Sequence, residues 1–169
     1  VWEIPRRLPA PERVAEARER IKGPVAHKDW VWAKETLLLD ALIAKKRDVE
    51  VEVQAIQVGP VVCLSNPAEY FVSYGLQLKK RSGFPMTFPV ELANGCVGYV
   101  PDEEAFGPNG GGYETRLTSY SNLEITAGTQ FMNVGLELAA KMKPAKLPER
   151  PNGPIGKPWA YGDQPPQLK

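Results

Sequence analysis

The chain has 169 residues, with 21 Lys and Arg against 20 Asp and Glu and 43% hydrophobic side chains. That composition fits one domain able to bury a core and argues against a disordered, collagenous or transmembrane protein. A formal net charge of +1, a balance that no Lys/Arg cluster breaks, supplies no field for steering onto DNA, RNA or an anionic bilayer, so nucleic acid is not an expected partner.

The 15 glycines and 17 prolines, 32 together, make up roughly a fifth of the chain against about 12% in ordinary domains, which predicts a loop-rich surface. The sequence starts at Val1 without an initiator Met or a signal-peptide layout, so a processed product or a piece of a longer protein is expected. Residues 1–9 read as extended. A short amphipathic helix is predicted from Pro11, with Val14, Ala17 and Ile21 on one side and Gly23-Pro24 as its stop. Asp29 to Lys46 reads as the clearest helix, apolar at Trp30, Val31, Ala33, Leu37, Leu38, Ala41, Leu42 and Ile43. Val49, Val51, Val53 and Ala55 alternate with polar residues as in a strand with one wet face. Val61 to Leu64 is continuously apolar, as in a strand buried on both faces, and Gly59-Pro60 forms the hairpin between them. After the polar break Ser65 to Glu69, a helix is predicted over Tyr70 to Arg81, with Phe71, Tyr74 and Leu78 inward. Met86 to Ala93 reads as a strand, Asn94-Gly95 as a turn, Cys96 to Val100 as a short extended piece, and Asp102 to Phe106 as one helical turn before the glycine loop 107–112. Leu123 to Met142 is the last helix, including Ile125, Phe131, Met132, Leu136, Leu138 and Ala139 on its apolar side. Seven of the prolines fall in residues 144–169, a proline-rich extended tail outside the domain 1–143. The element order predicts a mixed α/β (α+β) fold with helices covering a mixed sheet, and not a nucleotide-binding one, because the glycines at 110–112 lack the phosphate-loop register.

Few residues offer chemistry by themselves. With His27 alone, no multi-histidine metal site and no Ser-His-Asp or Cys-His arrangement can be assembled; beside Lys28 and Asp29 it reads as a surface or capping residue. Cys63 and Cys96, 33 positions apart, make neither a zinc knuckle nor a disulfide framework and read as buried structural thiols. Glu69 has two readings: a carboxylate held rigidly at a sheet end, where ligands bind, or a first-turn glutamate favoured by the helix dipole. Tyr99, just before Pro101, reads as packing or as a site residue. Strand alternation puts Cys96 and Tyr99 on opposite faces. Tyr113-Glu114, after the glycine loop, is either a substrate-contacting pair or the resumption of ordered chain.

Three segments taken in order carry a resemblance. Asn66-Pro67-Ala68-Glu69-Tyr70-Phe71, then Asn94-Gly95-Cys96-Val97-Gly98-Tyr99-Val100-Pro101-Asp102-Glu103-Glu104-Ala105-Phe106, then Gly112-Tyr113-Glu114-Thr115-Arg116 resemble the C-terminal part of the catalytic domain of neutral ceramidases, most closely the short bacterial type. The likeness spans about residues 50–140. It implies a zinc amidase that splits the N-acyl bond of ceramide or a related N-acyl lipid. Glu69 and Tyr99 are then zinc ligands, Tyr113 and Tyr99 are the catalytic tyrosines, Tyr113 donating to the amide oxygen, and Glu114 accompanies Tyr113 at the substrate. The other zinc ligands in that family are histidines from the earlier part of the domain. The expected partners are therefore an N-terminal half of the same catalytic domain and the lipid, with self-association open, and the chain alone is expected to be inactive. The resemblance favours a secreted, periplasmic or membrane-associated protein. Two rivals remain: a non-catalytic interaction module that keeps the fold, and a carbohydrate- or lipid-binding surface built on exposed tryptophans including Trp2 and Trp159.

Overall fold

A computed structural model describes residues 1–149 and Gln167. Most of the proline-rich segment, Trp159 included, lies outside the described residues. The fold is mixed α/β, as its periodicities predict, with four helices and three small sheets among the described residues. No described helix is long and apolar enough to cross a membrane.

The first nine residues are more ordered than their composition indicates. Strand β1 (Trp2–Pro5) pairs antiparallel with β2 (Asp48–Val51), Ile4 opposite Val49, and Ile4 is fully buried. Helices α1 (Pro11–Arg20) and α2 (Trp30–Lys45) form an antiparallel pair. Their connection is fixed where the Trp30 indole Nε1 donates to the Ile21 carbonyl at 3.1 Å. Each helix starts where predicted to within one residue because proline fits the first turn of α1 and basic residues favour the last turn of both.

The single strand expected over Val49 to Ala55 is two strands. β2 ends at Val51 and β3 begins at Gln54, so the segment serves two sheets and buries Val51 and Val53 in one core. β3 (Gln54–Val58) turns at Gly59-Pro60 into β4 (Val61–Ser65), which pairs parallel with β6 (Met86–Val90). The prediction that β4 is buried on both faces is corrected. Val62 and Leu64 are inside, but Val61 and Cys63 are only half-buried. The outward rows around them, Ile56, Val58, Met86, Phe88 and Val90, are exposed. The apolar run therefore marks a sheet with an apolar outer face that nothing among the described residues covers, and the helices lie on its inner face alone.

Helix α3 (Val72–Arg81) and helix α4 (Ala127–Ala140) cover that inner face. Both start later than predicted. Glu69 and Tyr70 form β5, paired parallel with β7 (Tyr99–Val100), and Leu123 bridges to Arg6. Ile125 stays exposed, while Phe131, Met132 and Ala139 reach the core. The Tyr70 ring stacks on Tyr74 with centroids 4.6 Å apart, and its hydroxyl donates to the Gly128 carbonyl at 2.5 Å.

Burial, reinforced by Tyr74, raises the Tyr70 phenol above the usual tyrosine value. A raised phenol is neutral in the folded protein where the unfolded chain ionises. Its stabilisation is therefore complete below about pH 10 and is lost as pH rises beyond it. Stability measured by urea unfolding is expected to fall above about pH 10, and the Tyr70→Phe variant to show a shallower fall. That variant costs about 1 kcal/mol at neutral pH by removing the hydrogen bond to the Gly128 carbonyl. An equal alkaline slope in the two proteins would refute the assignment.

Candidate functional site

The segment between β4 and α3 is not a solvated break. Asn66, Pro67 and Ala68 are buried, and every polar group of Asn66 that matters for the turn is used. Its backbone N–H donates to the Val90 carbonyl at 2.9 Å, its carbonyl accepts from Ala93 at 3.0 Å, and its side-chain Oδ1 accepts from the Ala68 N–H at 3.0 Å. This anchored turn delivers Glu69 to the end of the sheet. The Glu69 N–H donates to the Gly98 carbonyl at 3.0 Å, which sets Glu69 directly opposite Tyr99 in the parallel pair. The carboxylate and the phenol that sequence places 30 positions apart thus share one edge.

Around them gather three further side chains. The Tyr113 ring meets Tyr99 edge-on with centroids 5.3 Å apart, and Tyr120 meets it from another side at 5.5 Å. The Tyr120 hydroxyl donates to Glu69 Oε1 at 2.6 Å and lies 3.3 Å from Cys96 Sγ. Tyr99, Tyr113 and Tyr120 line an open cavity of about 330 Å³ together with Trp32, Glu35 and Ser119. Glu35 accepts from the Ser119 backbone N–H at 3.1 Å and from its hydroxyl, so α2 ties down the loop that carries Tyr120. Glu114 is not in the cavity lining.

Two expectations are corrected by this arrangement. Cys96 is exposed, not a buried structural thiol, and it does not point away from the Tyr99 cluster. Gly98 has φ +80°, a left-handed residue that interrupts the strand alternation, so Cys96 and Tyr99 both reach Tyr120. Of the tryptophans expected to be exposed, Trp2 is corrected. Trp2 is half-buried, edge-on to Phe131 with centroids 5.8 Å apart, and its indole donates to Gln130 at 3.4 Å. His27 is exposed, and its Nδ1 accepts from the Asp29 N–H at 3.2 Å in a local turn.

Both central phenols are shifted upward. Tyr99 is raised by the neighbouring Tyr113 and then by Glu69, and Tyr120 by Cys96 and then by Glu69. In each case Glu69 adds to the cost of a phenolate, and the Tyr120 hydroxyl donates to it.

The loop 113–123 has little regular structure and is held by arginines. Arg7 donates to three of its carbonyls, Leu123 at 2.9 Å, Ser121 at 3.1 Å and Thr115 at 3.3 Å, and its guanidinium lies 4.8 Å from the Phe106 ring centroid. Arg13 donates to the Leu117 carbonyl at 3.0 Å. Sequence reasoning misses Tyr120, Glu35 and Arg7, because nothing in local spacing links residues 7, 35, 69 and 120. The one local signal is Gly98, whose absent side chain admits the Tyr120 carbonyl. No family model, curated protein or solved structure matches the chain.

Proposed function

We propose that this chain carries part of the active site of a zinc-dependent amidase similar to neutral ceramidases, acting on the N-acyl bond of ceramide or a related N-acyl lipid. The observation that carries the reading is the pairing of Glu69 with Tyr99 across β5 and β7, with Tyr113 packed on Tyr99 at the same cavity. The donor set suits a metal in part. Glu69 Oε1 accepts from Tyr120, and Glu69 stands opposite Tyr99 in the strand pair, so a carboxylate and a phenol are offered from adjacent backbone positions. Among the described residues no three His, Cys, Asp or Glu side chains converge on one point, so the remaining ligands must come from another polypeptide segment. The apolar outer face of the three-stranded sheet supports such a segment, since a second layer would bury it.

On this reading, Glu69 and Tyr99 hold the metal. Tyr120 orients the Glu69 carboxylate by donating to one of its oxygens, and Tyr113, exposed at the cavity mouth, donates its hydroxyl to the amide oxygen as negative charge develops there. The chemistry zinc supplies when bound is acidification of a water and polarisation of the scissile carbonyl. The cavity wall around Trp32 and Val31 gives an apolar surface for an acyl chain.

Zinc affinity of the protein at its natural full length is expected to fall by at least about 100-fold in Glu69→Gln, the upper end of what loss of an outer-shell partner already costs. Hydrolysis of an N-acyl lipid should be lost with it. Unchanged zinc content in that variant would overturn the assignment. The second reading, a non-catalytic interaction module, is favoured by the same uncovered apolar face; a full-length protein that binds no zinc and turns over no N-acyl amide would select it.

A further inference from the structure

Arginines scattered through the sequence meet in space. Arg13 and Arg20 stand on one side of α1, with Ala17 between them, and face Trp32, Ala33 and Thr36 of α2; Arg116, from the loop 113–123, closes the gap. The result is a cavity of about 170 Å³ whose floor is made of small, buried side chains, Ala17, Ala33 and Thr36. Thr36 already donates to the Trp32 carbonyl at 3.0 Å, so the floor asks nothing of a ligand, and the walls carry the chemistry.

What sets these three cations apart is that they converge on one cavity. Arg18 pairs with Asp40, Lys22 with Glu19 and Lys46 with Glu3, and Arg7 spends its donors on carbonyls. Among the described residues, Arg13, Arg20 and Arg116 form no ion pair. Arg13 gives one N–H to Leu117, and Arg116 lies over Trp32, its guanidinium carbon 4.0 Å from the ring centroid. Stacking on an indole occupies the face of a guanidinium and leaves its edge, where the N–H donors are, free to meet a planar or tetrahedral oxyanion. Two carboxylates also line the cavity, Glu16 and Asp29. Asp29 lies 3.8 Å from His27, and Glu16 has no cation within ion-pair distance among the described residues. Three guanidinium groups therefore face two carboxylates without being neutralised by them in contact.

Trp32 also lines the tyrosine cavity. One indole is thus a shared wall, with guanidinium groups on one side and Tyr99, Tyr113 and Tyr120 on the other. We propose that the Arg13, Arg20 and Arg116 pocket binds an oxyanion, the carboxylate or phosphate end of a ligand whose uncharged part lies across Trp32 in the tyrosine cavity. This inference is independent of the amidase reading, because it requires neither metal nor turnover.

Calorimetric titration of the full chain with inorganic phosphate and with phenyl phosphate tests it. Both are expected to bind saturably at one site, phenyl phosphate about tenfold more tightly because its ring leaves water. Arg20→Gln and Arg116→Gln should each weaken both by roughly tenfold. Neither side chain donates a hydrogen bond to the backbone among the described residues, so Arg20→Gln should keep the melting temperature of the parent and Arg116→Gln, which loses its contact with Trp32, should melt only a few degrees lower; a larger drop identifies a variant that does not fold. Arg18→Gln, on a cation already paired with Asp40, should leave binding unchanged. Loss in Arg18→Gln equal to that in the pocket variants would mean diffuse surface charge and overturn the site, as would full binding in Arg20→Gln and Arg116→Gln. Equal affinity for the two anions would overturn the shared ligand. Phosphatidylcholine vesicles doped with phosphatidylglycerol separate the sources. Binding to them that depends on Arg20 and Arg116 assigns a lipid phosphate, no vesicle binding alongside saturable phosphate binding assigns a soluble anion, and vesicle binding without any response to free phosphate overturns the pocket.

Discussion

Replacing Gly98 with alanine is expected to lower stability by about 2–4 kcal/mol, and to separate Tyr120 from Glu69. Two effects add at this position. The φ of +80° costs any L side chain about 1–2 kcal/mol. The new Cβ would also overlap the carbonyl oxygen of Tyr120 and lie 2.7 Å from its carbonyl carbon, contacts with backbone that no side-chain rotation can relieve. The loop must therefore retreat, taking with it the 2.6 Å bond to Glu69. Gly59→Ala provides the control: its φ is +57° but its Cβ would meet nothing within 4 Å, so it should cost only about 1 kcal/mol. Urea unfolding of the two variants, with amide chemical shifts of Thr118 to Ser121 as the local readout, checks both parts. Similar losses in Gly98→Ala and Gly59→Ala, with unshifted loop amides, would show that the close approach is not there.

Phe131→Ala is expected to cost about 3–5 kcal/mol, the range for emptying a buried aromatic site. Phe131 is 2% exposed and stands where α4 meets both the N-terminal strand and the site-bearing segment, edge-on to Trp2 and tilted against Tyr70 with centroids 6.1 Å apart. Against a total stability typical of about 5–15 kcal/mol, such a loss removes a large share of the margin that keeps the protein folded. The Trp2 ring cannot collapse into the space without releasing β1 from β2. A measured loss below about 2 kcal/mol in thermal or urea unfolding would contradict that rigidity.

Helices with a strong apolar period and flanking punctuation were legible from sequence, since Pro11, Gly23-Pro24 and the lysines after Ile43 act within one or two turns of the residues they affect. The strand end points were less so. Val49 to Ala55 alternates as one strand, yet only tertiary pairing with Trp2 to Pro5 divides it at Glu52 and Val53. Tyr70 has the apolar character of a helix residue, but its N–H is claimed by the Glu91 carboxylate at 3.1 Å and the helix starts two residues later. At the site, Glu69, Tyr99 and Tyr113 could be nominated because each stands beside turn residues with distinctive spacing. Tyr120, Glu35 and Arg7 carry no such mark. Their roles arise from loop placement, a property of the packed molecule that periodicity does not encode.

That placement has a consequence for the order in which the molecule assembles. Arg7 grips carbonyls 108 to 116 positions further along the chain, and each such contact closes nearly the whole domain into a single loop. Closure of that length is entropically slow and yields no reward until both ends are in place. During synthesis the first helices and the β3–β4 hairpin can form from neighbours, whereas the tyrosine cluster must wait until residue 123 has emerged and returned to residue 7. The part of the protein with the most chemistry thus depends on closing a loop of more than a hundred residues, and is exposed to any change that shortens the lifetime of the N-terminal strand.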